Sequence, residues 1–295
     1  MMEFYIEKLL NIITYKDGFY IECGSNDGVT QSYTYELERT RNWKGILIEP
    51  SIQSFNNCKL NRSDRNIFIN CALVGDENIK EIRGDFDGNL MSSVNGIRMN
   101  RLGELIKISS RTINSILDEY YYINKIDLFS LDVEGYELEI LKGIDFKKHP
   151  ISYILIEIYK NDYNKIIELL KNNDYELMDC LTGYNKIDNP GWDGTHNDYL
   201  FKKHTELYIY HYLGMGDHII CNAIVRHYAK LYDKIYLFVK NHNYISVKFM
   251  YQDLDNIIFI VGQVYSDGID TFVLPYIEKY QDKILRIGYK DIGLS

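Results

Sequence analysis

The chain lacks any run of lysine or arginine, and its net charge is −9 with a pI near 5.3. That excludes a nonspecific nucleic-acid binder, which needs a basic face. No apolar run approaches the roughly 18 residues of a membrane span, and no basic segment followed by an apolar stretch opens the chain. The expectation is a cytoplasmic protein with neither a membrane span nor a nucleic-acid partner. Five cysteines stand singly at 23, 58, 71, 180 and 221, with no CxxC spacing and no framework of close pairs. They read as reduced thiols, Cys23 and Cys71 in buried strands.

What is present is an alternation of short apolar strands and amphipathic helices, and 295 residues allow about two domains. A leading helix is predicted over 3–15, strands at 19–23, 45–49, 67–72, 126–132 and 151–158, and helices at 30–40, 52–60, 112–122, 136–142 and 161–173. This implies an α/β fold with a parallel sheet covered on both faces. Two last strands, 175–181 and 198–203, have no helix between them and should pair antiparallel. Residues 84–103, rich in glycine, asparagine and serine, read either as a substrate lid or as a long connection.

After His204 the alternation restarts, so the domains are placed at 1–204 and 205–295, the second a smaller Rossmann-like α/β unit. Strands are expected at 206–210, 234–240 and 256–261, and a helix at 276–283. A further helix should bury the face made by Ile219, Ile220, Ala223, Ile224, Tyr228 and Leu231.

The most informative stretch is GFYIECGSNDG at 18–28, followed by KGILIEP at 44–50. A strand runs into a glycine-bearing loop, and a second strand ends on Glu49, spaced to reach an adenosine ribose. Gly24 and Gly28 are expected to let a ligand lie against bare backbone. The loop is not GxGxxG, because Glu22 heads it and Asn26 stands where a middle glycine would be. It is similar to the S-adenosylmethionine loop of class I methyltransferases, whose cationic ligand suits nearby acids.

Residues 18–203 resemble the FkbM family of S-adenosylmethionine-dependent methyltransferases. The resemblance is carried by IECGSNDG, GILIEPS, NCALVG, TINSILDEY, IDLFSLDVEGYELEILKGI, ISYILIEIY and DYLFKK, in that order. It implies a class I Rossmann-like sheet with an antiparallel terminal hairpin. Glu22, Gly24, Asn26 and Gly28 would surround the methionine part of the cofactor, Glu49 the ribose, and Asn70, Cys71 and Ala72 the adenine. Asp132, Glu134 and Glu157 follow or end strands where an acceptor would approach, and Asp132 would position or deprotonate its hydroxyl. A divalent metal could instead acidify that hydroxyl, and the sequence names no metal ligand. His196 is either a general base, a ligand or a surface residue.

The expected activity is O-methylation of a hydroxyl on a sugar or glycan; the alternatives are a small natural product as acceptor, or an inactive scaffold coupled to a glycosyltransferase-like domain. LGMGD at 213–217, with Asn222 and Arg226, is similar to the first loop and helix of GT-B-type glycosyltransferases. Asp217 is equally a helix N-cap, and Arg226 a solvated residue or an anion contact.

Overall fold

The computed structural model describes residues 2–88, 91–96, 98, 105–211, 213–262 and 269–287. The chain divides into two compact units, Met1–Lys203 and His204–Ser295. The first unit runs α1 (Met2–Ile12), β1 (Phe19–Cys23), α2 (Tyr33–Arg41), β2 (Lys44–Ile48), α3 (Ile52–Asn61), β3 (Ile67–Ile69), β4 (Ala72–Leu73), β5 (Glu81–Gly84), β6 (Ile106–Arg111), α4 (Ile113–Glu119), β7 (Ile126–Leu131), α5 (Glu137–Lys142), β8 (Ile151–Tyr159), α6 (Tyr163–Asn172), β9 (Tyr175–Cys180) and β10 (His196–Lys203).

Seven of these strands form one sheet in the order β3-β2-β1-β7-β8-β10-β9. All pairs are parallel except those made by β10, which runs antiparallel to both β8 and β9. The α/β sheet with an antiparallel finish is therefore what the chain forms. Strand order reverses between β1 and β7, and ligands in open α/β sheets sit beyond the carboxyl ends at such a point.

Alternation along the strands feeds two cores. Ile21, Ile46, Phe129 and Ile154 pack with Ile116 of α4, Ile140 of α5 and Leu170 of α6 on one face. On the other, Tyr20, Leu47, Leu128 and Leu155 pack with Leu9 of α1 and Leu37 of α2. β7 is buried along its whole length, as a central strand covered on both faces must be.

The third strand is shorter than the sequence predicts. The Asn70 side chain donates to the carbonyls of Glu49 (2.8 Å) and Pro50 (3.0 Å), and this holds the chain at the end of β2. Beyond it, Ala72 and Leu73 join β6 instead, in a three-stranded sheet ordered β4-β6-β5. That sheet has no counterpart in the sequence reading. It frames the described part of 84–103, where Phe86 and Val94 pack on Ala72.

The second unit contains β11 (Glu206–Tyr210), α7 (Met215–Ala229), β12 (Lys234–Lys240), α8 (Tyr244–Met250), β13 (Ile257–Gly262), α9 (Ile269–Lys279) and β14 (Ile284–Arg286). Its four strands are parallel, in the order β13-β12-β11-β14. The last helix lies earlier than expected, with a single 3-10 turn at Gln281–Lys283.

Two expectations about α7 are corrected. Its buried residues are His218, Cys221 and Val225, while Ile219 and Ile220 stand 60% and 79% exposed. A histidine and a cysteine at helical spacing hid the true inward stripe. Gly214, not Asp217, is the N-cap. Arg226 is a clamp: it donates to Asn222, to both Asp253 oxygens and to the Met250 carbonyl.

Candidate active site

Gly24 follows β1 at the reversal point with φ +79°, and a Cβ there would stand 1.8 Å from the carbonyl oxygen of Asp132. Gly28 has φ +81°, and a Cβ there would stand 2.7 Å from Arg62 Cγ and 2.9 Å from Cys58 Sγ. Both positions demand glycine, but the neighbour in each case is the protein itself. Gly24 also lines the cavity described next, so its backbone faces that space while its Cα packs on Asp132.

The loop forms one wall of a cavity of about 830 Å³, counted to its mouth. Glu49 and Pro50 line it from the end of β2, and Ala72 and Leu73 from β4. Phe86 and Val94 come from the 84–103 segment, and Asp132 and Glu134 from the end of β7. Cys71 is not on this surface; its side chain lies in the core against strands of the main sheet. Glu49 accepts the Asn26 and Ser51 amides at 2.8 Å each, so one carboxylate joins the loop to the end of β2. Burial pushes its pKa up to about 7 against the opposing effect of these two amides. Asn26 contributes through its backbone, in a left-handed conformation with φ +45°.

Glu22 also borders the cavity, but its carboxylate is committed within the fold. It accepts from the Ser32 hydroxyl at 2.7 Å, from Thr34, and from Arg62 Nη1 at 3.2 Å. Ser32 in turn caps α2, accepting the Tyr35 amide. The acid at the head of the loop thus ties β1 to the first turn of α2.

Across the cavity, Asp132, Glu134 and Glu157 each offer an oxygen within 4.8 Å of the others. Asp132 lines the cavity just beyond β7, and desolvation followed by the charges of Glu134 and Asp198 pushes its pKa well above the carboxylate range. Glu157, buried in β8, shifts the same way, first from burial and then from Asp132 and Glu134. Asp198 is the register partner of Glu157 on β10 and accepts from the Tyr33 hydroxyl at 2.8 Å. Burial raises it to about 6. Glu137 holds the loop between, its Oε1 accepting the amides of Val133 (3.0 Å) and Gly135 (3.1 Å).

Positive and neutral groups meet this cluster from one side. Arg98 Nε donates to Glu134 Oε2 at 3.0 Å and Tyr159 donates to the same oxygen at 2.6 Å. His196 Nε2 lies 3.3 Å from Glu157 Oε1, and burial lowers the imidazole below its ordinary pKa. Here a second cavity of about 860 Å³, counted to its mouth, is lined by Arg98, Glu134, Tyr159, Asn161, Asp162 and Thr195. The two cavities share Val94, Glu134 and Tyr136.

A comparison with family models matches residues 22–177, just over half of the chain, to the methyltransferase FkbM domain. The chain belongs to the FkbM methyltransferase family. As an FkbM methyltransferase it uses S-adenosylmethionine. Among solved structures it is similar to an FkbM methyltransferase from Methylobacillus flagellatus KT, at 16% identity and a TM-score of 0.38. That match covers 62% of this chain and 43% of the other, less than half of the relative's length. It is also similar to precorrin-6y C5,15-methyltransferase from Geobacter metallireducens GS-15 (13% identity, TM-score 0.39, 68% and 88% covered). A third is a SAM-dependent methyltransferase from Aquifex aeolicus (11%, TM-score 0.37, 68% and 91%). No curated protein matches. Among the described residues no helix is long and apolar enough to cross a membrane.

The first cavity sets apolar Pro50, Leu73 and Phe86 beside the acids Glu49, Asp132 and Glu134. Sequence reasoning missed Arg62, Arg98 and Tyr159, and gave Asp198 no role of its own. Of these only Asp198 left a readable signal. It lies on a strand predicted to run antiparallel to its neighbour, close to the reach of Glu157.

Proposed function

We propose that this FkbM methyltransferase transfers a methyl group to a hydroxyl of a sugar or glycan. Glu49 would bind the ribose, with Asn26 held beside it; Gly24 and Gly28 shape the loop around the methionine part. Ala72 with Phe86 would face the adenine. Glu22 borders the same cavity while fixing the loop, and Cys71 supports the strand behind it from the core.

The observation that carries the reading is the shared wall of the two cavities, where Glu134 borders both and Asp132 and Glu157 stand within reach. The cofactor, when bound, supplies an electrophilic methyl on a sulfonium, so holding the acceptor in line provides much of the rate. Asp132, Glu134 and Glu157, so close together, cannot all ionise. Glu157, the most enclosed, keeps a proton, and Asp132, open to the cavity, accepts the proton of the hydroxyl. The raised pKa of Asp132 makes its ionised form a stronger base than an ordinary carboxylate.

The second cavity mixes polar groups with a larger apolar surface, a lining that a sugar with its apolar ring face can meet. Arg98, Asn95, Asn161, Asp162 and Thr195 supply donors and acceptors, and Tyr136 and Tyr159 supply ring faces. The test is calorimetric titration with S-adenosylmethionine, followed by turnover of the purified chain on a panel of sugar and polyketide alcohols. Binding with sugar turnover, abolished in Asp132→Asn, supports the reading. Turnover that survives Asp132→Asn removes the proposed base, and methylation of nitrogen or carbon acceptors alone would overturn O-methylation.

A further inference from the structure

We propose that Asp132, Glu134 and Glu157 form a site for a hard divalent cation, of the Mg²⁺ or Mn²⁺ kind, through one oxygen of each carboxylate. Three carboxylates with oxygens within 4.8 Å of one another are the all-oxygen donor set such ions take. Proximity alone does not make a site, and a second observation points to a ligand. Glu157 is 8% exposed, and its Oε2 has no hydrogen-bond partner. A buried polar atom with nothing to bond costs stability, and native folds keep few.

The surroundings divide each carboxylate in the way metal ligands are divided. On Glu134 both protein donors, Arg98 Nε and Tyr159 Oη, fall on Oε2. On Glu157 the histidine His196 faces Oε1, leaving Oε2 bare. Among the described residues no side chain donates to the carboxylate of Asp132, which opens onto the cavity. Groups that orient a ligand through its other oxygen are what a metal centre requires outside its first ring of ligands. His196 itself is held by Thr195 at 3.0 Å from Nδ1, so its Nε2 is directed at Glu157.

The cation would replace the protons that otherwise relieve repulsion among the acids. It would hold the acceptor oxygen at the meeting of the two cavities and make that hydroxyl more acidic. Only this role rests on the proposed acceptor; the binding claim rests on the side chains alone.

The experiment is Mn²⁺ titration of the chelator-stripped full chain, read by electron paramagnetic resonance of free Mn²⁺ and by water-proton relaxation, without cofactor or acceptor. One Mn²⁺ per chain is expected, displaced by Mg²⁺. Glu157→Gln and Asp132→Asn should each weaken binding at least about tenfold, and His196→Ala by about 10–100-fold. Glu139→Gln, an exposed acid on α5 paired with Lys142, should leave it unchanged. No stoichiometric Mn²⁺, or equal loss in the Glu139 and Glu157 variants, overturns the site. Asp132→Asn decides the matter if Glu157→Gln does not fold, because its side chain opens onto the cavity and loses no protein hydrogen bond. S-adenosylmethionine titration of the same samples separates the two proposals: cofactor binding without Mn²⁺ sinks the cation alone.

Discussion

Arg62 Nη1 lies 3.2 Å from Glu22 Oε2, both side chains buried, and the same guanidinium reaches Glu38 Oε2 at 2.9 Å through Nε. It also donates to the Gly28 carbonyl and to the hydroxyls of Tyr20 and Thr34. The ordering of the loop from Glu22 to Gly28 therefore depends on a residue 34 positions beyond Gly28.

Removing this cation leaves two enclosed carboxylates without a counter-charge. Arg62→Met is expected to destabilise the first unit by roughly 3–5 kcal/mol, the range for breaking a buried ion pair on one side. Urea unfolding followed by circular dichroism measures it. Arg39→Ala, which loses only the exposed pair to Glu36, should produce no detectable change.

Gly24→Ala places a methyl on the Asp132 carbonyl and forces a β-carbon into a left-handed conformation. Strain of roughly 1–3 kcal/mol is expected from the backbone alone, with the clash added. The junction of β1 and β7 must open, and this moves both the loop and Asp132. Cofactor affinity should fall at least about tenfold, or about 1.4 kcal/mol. Calorimetry showing unaltered affinity in a folded variant would mean that the junction does not shape the cofactor cavity.

On the proposed reading, Glu49 makes cofactor binding depend on pH. Its folded pKa, about 7, lies above the ordinary 4.5, so the folded chain keeps a proton there that the unfolded chain has lost. Stability from this group is full below the unfolded value and declines as pH rises through the folded one. Ribose hydroxyls need the ionised carboxylate, so affinity should increase as pH climbs. Between pH 6 and 8 the ionised fraction grows about tenfold for a pKa near 7, and the dissociation constant should fall by a similar factor. Glu49→Gln should bind weakly with that slope removed. An identical slope in wild type and variant would assign the titration elsewhere.

Glu157 carries the same sign further, since burial and its acidic neighbours hold its proton well above the carboxylate range. In metal-free buffer at pH 8 the unfolded chain releases that proton and the folded chain retains it, which disfavours folding. Glu157→Gln is expected to raise stability by about 0.5–2 kcal/mol there while turnover falls. Thermal melts with chelator at pH 5 and pH 8 read it directly: the gain should be larger at pH 8. A loss of stability at both would show that the carboxyl is a structural anchor.

The sequence by itself determined the alternation of strands and helices, the antiparallel finish, the loop from Glu22 to Gly28, and the family. Each of these is written locally: apolar period, glycine position and motif order are properties of neighbours within a few residues. It also placed Asp132, Glu134 and Glu157 at strand ends, because the ends of apolar runs are visible along the chain. Tertiary structure alone decided what those residues meet. Asn70 ends β3 by reaching back to two carbonyls, Arg62 absorbs the charge of Glu22, and Asp132 and Arg62 occupy the space that Gly24 and Gly28 leave. On α7 a polar pair at helical spacing took the inward stripe from the isoleucines. Such partners are separated by tens of residues, and side-chain geometry, burial and charge arise only once the sheet has brought them together.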